Sequence, residues 1–194
     1  MPPDDIRHSL PDRLFHWIMA VLVIILLATA ILPILGIKFD WVPIHWISGV
    51  LLILAILYHL YRALLIHGIA QMMPTGADLR SITGKDPATD EQKYDLNQKL
   101  YHWSVAAVVL VLVVTGAIML AKIDTPLWNR DPSILSDANW GLVYVCHGAA
   151  TLLLIFFFIL HIYFAFLPEH RQLLASMVLG RATGDGENKP GSPS

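Results

Sequence analysis

The stretch that decides the fold is residues 137–169, DANWGLVYVCHGAATLLLIFFFILHIYFAFLPE. No charged side chain lies between Asp137 and Glu169. At a rise of about 1.5 Å per residue, such a helix is long enough to cross a hydrocarbon layer about 30 Å thick. Working outward, three further charge-free runs lie between Arg13 and Lys38, between Asp40 and Arg62, and between Lys99 and Lys122. The reading is an all-α integral membrane protein, a bundle of four transmembrane helices over about 14–37, 43–66, 98–121 and 141–167. These lie in one domain, residues 1–182, followed by a polar tail, 183–194, expected to be disordered.

Composition agrees with this reading. Of 194 residues, 56% are hydrophobic and 14% charged, against about 45–50% and about 25% in soluble domains. A net charge of −2 leaves no basic field for nucleic acid. The single cysteine, Cys146, excludes an internal disulfide, a Cys-ligated iron-sulfur cluster and covalent C-x-x-C-H haem attachment. Ala28-Thr29-Ala30 has the small-x-small form of a signal-peptide cleavage site. The apolar run continues through Ile37, however, and Asp4 and Asp5 precede it, so the segment is expected to stay as the first span.

Lys and Arg gather at the N-terminus, the connection from about 67 to 97 and the C-terminal tail, whereas the other side holds only Lys38, Lys122 and Arg130. This bias places both termini in the cytoplasm. The six tryptophans lie in loops or near span ends, as an interfacial belt requires.

Two features suggest a repeated hairpin. Arg13-Leu14-Phe15-His16-Trp17 opens span 1 and Lys99-Leu100-Tyr101-His102-Trp103 opens span 3. His45 and His59 in span 2, and His147 and His161 in span 4, are both 14 residues apart. That spacing puts each pair on nearly one helix face, about 21 Å apart along the axis. His45 and His147 then share the outer level, while His59, His161, His16 and His102 share the inner one.

Imidazoles at such depths are costly and face the bundle interior with a partner. A single one could merely bridge two helices. Matched pairs at two heights point instead to axial ligation of haem iron, with both axial positions filled and electron transfer favoured. A metal-ion transporter would be expected to add carboxylates or thiolates, and the spans contain no internal Asp or Glu. Gly49, Gly116 and Gly148 with Ala149 and Ala150 offer room for a flat group beside the outer histidines. Arg13, Arg62, Lys99 and Arg171 stand at the inner level, where haem propionates would pair with them, although the same residues satisfy the positive-inside rule.

Further residues carry a family resemblance. Lys93-Tyr94-Asp95-Leu96-Asn97-Gln98-Lys99, Val113-Val114-Thr115-Gly116, Asp12-Arg13 before His16-Trp17, and His161-Ile162-Tyr163-Phe164-Ala165-Phe166 resemble the gamma, cytochrome b subunit of membrane-bound formate dehydrogenase. That family is itself similar to nickel-iron hydrogenase cytochrome b subunits and bacterial cytochrome b561. The resemblance spans about residues 10–182 and implies two haems b, with His16 and His161 on the inner iron and His45 and His147 on the outer. Spacing alone would instead set His59 opposite His161, so His59 is the alternative inner ligand.

The resemblance also implies a quinone site on the cytoplasmic side, at Asp95, Asn97 and Gln98, with Asp95 standing where the family has Asn. It implies an iron-sulfur subunit and a catalytic dehydrogenase or hydrogenase subunit on the outer side of a bacterial inner membrane, with the 123–140 connection as part of the dock. Two other readings remain: a self-contained cytochrome b561-type quinol oxidoreductase, and a haem-free transporter or membrane anchor.

Overall fold

A computed structural model describes residues 9–67, 73, 75–76, 96–168 and 171–180, and these are helical apart from their connections. Helix α1 spans Leu10–Ile34, α2 Trp41–Arg62, α3 Leu96–Met119, α4 Asp137–Phe166 and α5 Arg171–Leu179. The first four are long and apolar enough to cross a membrane. Large apolar side chains such as Leu54, Leu110, Leu152 and Ile159 are exposed along them. In water such faces would drive aggregation, whereas hydrocarbon is their natural solvent.

Each helix end has a local cause. Ser9 opens α1, its hydroxyl accepting from Asp12 N–H at 3.4 Å and donating to the Asp12 carboxylate, a close variant of a capping box. Gly36 closes α1 with φ at +86°, a conformation that glycine adopts without steric cost. Ile37 N–H then reaches Leu32 O, and Gly36 N–H reaches Pro33 O, both at 3.0 Å; these are the two bonds of a Schellman motif. A five-residue π turn, Ala63–His67, continues α2. Ser136 opens α4, its hydroxyl accepting from Asn139 N–H at 3.4 Å.

The described residues group into two units, which are taken separately. One comprises Val21–Phe157. Its buried apolar side chains include Leu22, Leu27, Leu52, Val108 and Trp140, and its buried polar ones include Thr29, Ser48, Lys99 and Thr115. Within it the 120–136 connection is tightly folded. Trp128 Nε1 donates to Leu120 O at 2.9 Å and Trp140 Nε1 to Pro132 O at 2.8 Å. The Lys122 ammonium lies 4.5 Å from the Trp140 ring centre and 5.1 Å from that of Tyr144, within cation–π range. Asp131 accepts from Ser133 N–H and Oγ–H, and these bonds hold its carboxyl below its ordinary pKa.

The other unit comprises residues 9–20 and 158–180 among those described. Here α5, which no periodic signal in the sequence announces, ends at Gly180 with φ at +81°, whose N–H bonds Ser176 O at 2.9 Å. Arg13 meets that end. Its Nε donates to Met177 O at 3.2 Å, its Nη2 to Val178 O, and Trp17 Nε1 donates to Met177 O at 3.3 Å. A cation placed on the last carbonyls complements the negative end of the helix dipole.

A side chain at position 180 would be strained in its backbone and would displace the Arg13 guanidinium. A left-handed φ costs an L-residue about 1–2 kcal/mol, and a Cβ there would come within 2.5 Å of Arg13 Nη1. Gly180→Ala is therefore expected to loosen the end of α5, with amide exchange over Val178–Gly180 about 5–30-fold faster. Unchanged exchange would mean that Arg13 does not hold this helix end.

Candidate functional site

In the unit formed by residues 9–20 and 158–180, the structure brings His16 of α1 to His161 of α4. Their ring centres lie 6.1 Å apart, with the planes at 46°. Trp17 stands edge-on to His16 at 5.3 Å. In the Val21–Phe157 unit, His45 of α2 faces His147 of α4 at 6.5 Å and 67°. Trp41 abuts the His45 ring edge-on at 6.3 Å. In that same unit His59 of α2 faces His102 of α3 at 6.4 Å and 59°.

These separations have chemical content. An imidazole with bonds of about 1.33 Å has its nitrogens about 1.1 Å from the ring centre. Ring centres beyond 6 Å therefore keep the nearest nitrogens at least about 3.8 Å apart, too far for a direct hydrogen bond. Two nitrogens each about 2.0–2.1 Å from a shared metal place the ring centres about 6.3 Å apart when in line. Ring centres 6.1, 6.5 and 6.4 Å apart leave room for a metal atom between the rings. Among the described residues no group of three or more His, Cys, Asp or Glu is placed to hold a bare ion. Two imidazoles with no third His, Cys, Asp or Glu beside them among the described residues suit haem iron, whose macrocycle would supply the remaining ligands. The donor set fits iron porphyrin.

At the His45–His147 pair the outer nitrogens are also arranged. Thr29 Oγ1 lies 2.8 Å from His45 Nδ1, and Thr115 Oγ1 lies 2.8 Å from His147 Nδ1. Each hydroxyl donates its one proton to its own helix: Thr29 to Ile25 O at 2.8 Å, and Thr115 to Val111 O at 2.6 Å, a habit of helical threonine. The oxygen then presents a lone pair, so Nδ1 carries the hydrogen and Nε2 keeps its lone pair for a metal. A ligating histidine is oriented by such a bond on its other nitrogen.

Both threonines are almost wholly buried, at 3% and 8% exposure, and sequence reasoning assigns neither a role. Thr29 is noticed there only within Ala28-Thr29-Ala30, and Thr115 only within the family-like stretch. A signal was present: Thr29 follows His16, and Thr115 follows His102, by the same thirteen residues.

The remaining candidates are placed as follows. A Cβ on Gly116 would meet His147 Cε1 at 3.5 Å, whereas nothing lies within 4 Å of one on Gly49 or Gly148. Of these glycines, Gly116 is the one set against a histidine ring. Arg62 lies over the Tyr58 ring at 6.0 Å. Arg13 has Nε and Nη2 on the carbonyls that end α5. Asn97 and Gln98 are exposed in the first turn of α3. Asp95 lies outside the described residues, as do the proposed tail and most of the 67–97 connection.

Two comparisons bear on this arrangement. The cytochrome b556 subunit of formate dehydrogenase from Haemophilus influenzae is 28% identical over 182 residues, covering 83% of this chain and 70% of that protein. Residues 7–180, which include every histidine of the three ring pairs, match the family described as prokaryotic cytochrome b561, and with four apolar helices long enough to span a membrane the chain belongs to that family.

Proposed function

We propose that the chain is the membrane cytochrome b subunit of a respiratory oxidoreductase, taking electrons from an iron-sulfur partner on the outer side and delivering them to quinone near the cytoplasmic face. Membership of a haem b family and likeness to a formate dehydrogenase cytochrome subunit support the class. The observation that carries the reading is the spacing of His16–His161 at 6.1 Å and His45–His147 at 6.5 Å, which suits an iron porphyrin in each pair. Haem b held by these histidine pairs would supply one-electron exchange.

The chain's own residues orient and enclose these groups. Thr29 and Thr115 set the tautomer of the outer pair, and Gly116 lies beside the His147 ring. In this reading Asn97 and Gln98, exposed where α3 begins, would offer hydrogen bonds to a quinone headgroup, and Asp95 would bring a carboxylate for its proton. In this reading both termini are cytoplasmic, in the inner membrane of a bacterium, and the folded 123–140 connection faces the catalytic dehydrogenase partner.

Mild-detergent purification from the native membrane tests it. The expected result is a reduced-minus-oxidised spectrum of haem b, copurifying iron-sulfur and dehydrogenase subunits, and reduction of added quinone by the partner's substrate. A colourless chain would overturn the reading. Haem b and quinol oxidation without any partner would favour the stand-alone cytochrome b561 activity that the family match also accommodates.

A further inference from the structure

We infer that Arg13 and Trp17 are positioning residues for the inner haem: anchored on the carbonyls that end α5, they brace the turn of α1 that presents His16; this rests on the haem reading above. All the residues concerned belong to the unit formed by residues 9–20 and 158–180. His16 lies in the second turn of α1, which begins at Leu10. The first backbone N–H groups of a helix have no partner within it, and helix ends fray. A metal ligand, by contrast, has to be held within about 0.5 Å and 10–20° of its productive geometry. A ligand so near a helix end therefore needs a tie from outside its own helix.

The structure supplies a tie on either side of His16. Arg13, one turn before it, sends Nε to Met177 O at 3.2 Å and Nη2 to Val178 O. Trp17, the next residue, sends Nε1 to the same Met177 O at 3.3 Å, while its ring meets the His16 ring edge-on at 5.3 Å and 89°. The indole thus touches the imidazole with its ring and the end of α5 with its N–H. The accepting carbonyls lie 160 to 165 residues farther along the chain, so these bonds belong to tertiary packing and not to the local habit of one helix. Beyond His16 stands His161, its ring centre 6.1 Å away. One line of contacts therefore runs from α5 through Trp17 to His16 and on to its partner ring.

Helix α5 is suited to be the fixed side of this brace. Ser176 is wholly buried, and Gly180 is buried as well, so the nine-residue helix is seated and not merely laid on the surface. Its last carbonyls carry the negative end of the helix dipole, and a guanidinium that spans two of them makes charge-assisted hydrogen bonds. Position 180 is fitted to that guanidinium: its φ of +81° suits glycine, and a Cβ there would come within 2.5 Å of Arg13 Nη1. A change at the far end of the chain is thereby coupled to the turn that carries His16.

The test pairs redox-poised EPR of the low-spin haem signals with amide exchange over Val178–Gly180, both on the purified full-length protein. Trp17→Phe keeps an aromatic ring against His16 and deletes the donor to Met177. It is expected to quicken exchange at the end of α5, to displace the EPR signal and the potential of one haem, and to weaken the binding of that haem about 2–13-fold, the factor equivalent to one net hydrogen bond. Arg13→Gln is expected to do the same, and Arg13→Lys, which keeps a cation on the helix end, to lie nearer the wild type. Gly180→Ala leaves α1 unaltered and is expected to displace the same signal through the guanidinium alone, so it serves should the α1 variants not fold. The haem of His45–His147 is the unmoved reference throughout. Quickened exchange with both haem signals in place would overturn the proposal and leave Arg13 and Trp17 as a helix cap. So would a shift of both haems alike, which a general loosening of the bundle would cause, or unchanged exchange in both Trp17→Phe and Gly180→Ala. Absence of all haem from the wild type would overturn the parent reading itself, so the two failures are distinguishable.

Discussion

His147→Ala is expected to yield a protein that inserts normally but carries one haem fewer than the wild type, with no electron transfer from an outer donor to quinone. His147 is the half of the outer pair that α4 supplies, its ring centre 6.5 Å from that of His45. On the proposed reading its removal would leave His45 alone to hold the outer haem, which would then be bound more weakly. The His16–His161 pair draws on another part of α1 and on the last turns of α4, so its haem is expected to remain and to serve as an internal standard. His147→Gly provides a control for a merely structural effect, because free imidazole at millimolar concentration is expected to restore the lost low-spin signal. A full haem complement in His147→Ala would show that the outer pair is not a ligand pair.

How much of this was legible from sequence depends on how local the cause is. The four spans are read from charge-free runs because hydrocarbon admits nothing else, and the helices Leu10–Ile34, Trp41–Arg62, Leu96–Met119 and Asp137–Phe166 lie over those runs. The histidines are equally legible as costly residues at repeated depths. Which histidine faces which is another matter. Fourteen-residue spacing in two helices is satisfied by His59 opposite His161, whereas the structure sets His161 against His16 and His59 against His102. Spacing along one helix fixes height and face but not which neighbour stands beside it; that is decided by packing among all the helices, for which no pattern in a single span is diagnostic.

Arg13 shows the same limit from the other side. A cation at an inner helix end is compatible with a propionate, with the positive-inside bias and with a helix cap. Helix α5, whose carbonyls receive Arg13, is nine residues long and too short to show its period. Thr29 and Thr115 escape notice because threonine is common in membrane helices as a neutral packing residue. Their significance lies in contacts sixteen and thirty-two residues away in sequence.

Those two threonines yield the second large effect. Thr115→Val keeps the shape of the side chain and removes the oxygen that His147 Nδ1 meets at 2.8 Å. The part-buried N–H then has no acceptor, at a cost of about 1–3 kcal/mol. Loss of the group that orients a metal-bound histidine typically lowers metal-site affinity about 10–100-fold. A ring that no longer shares its proton with an acceptor also gives less electron density to the metal, which disfavours the ferric state. Thr115→Val is therefore expected to raise the midpoint potential of the outer haem and to speed its loss to apomyoglobin, leaving the haem of His16–His161 unchanged. Thr29→Val is expected to act in the same direction but more weakly through His45, which also has a hydrogen bond with the Leu26 backbone, and the double variant to exceed either alone. Thr115→Ser, which retains the hydroxyl, is expected to restore the wild-type potential. A residue that merely packed the helices would show the reverse pattern, with Val tolerated and Ser not. An outer-haem potential unmoved by Thr115→Val would therefore remove threonine from the site and leave the tautomer of His147 to be fixed by something else.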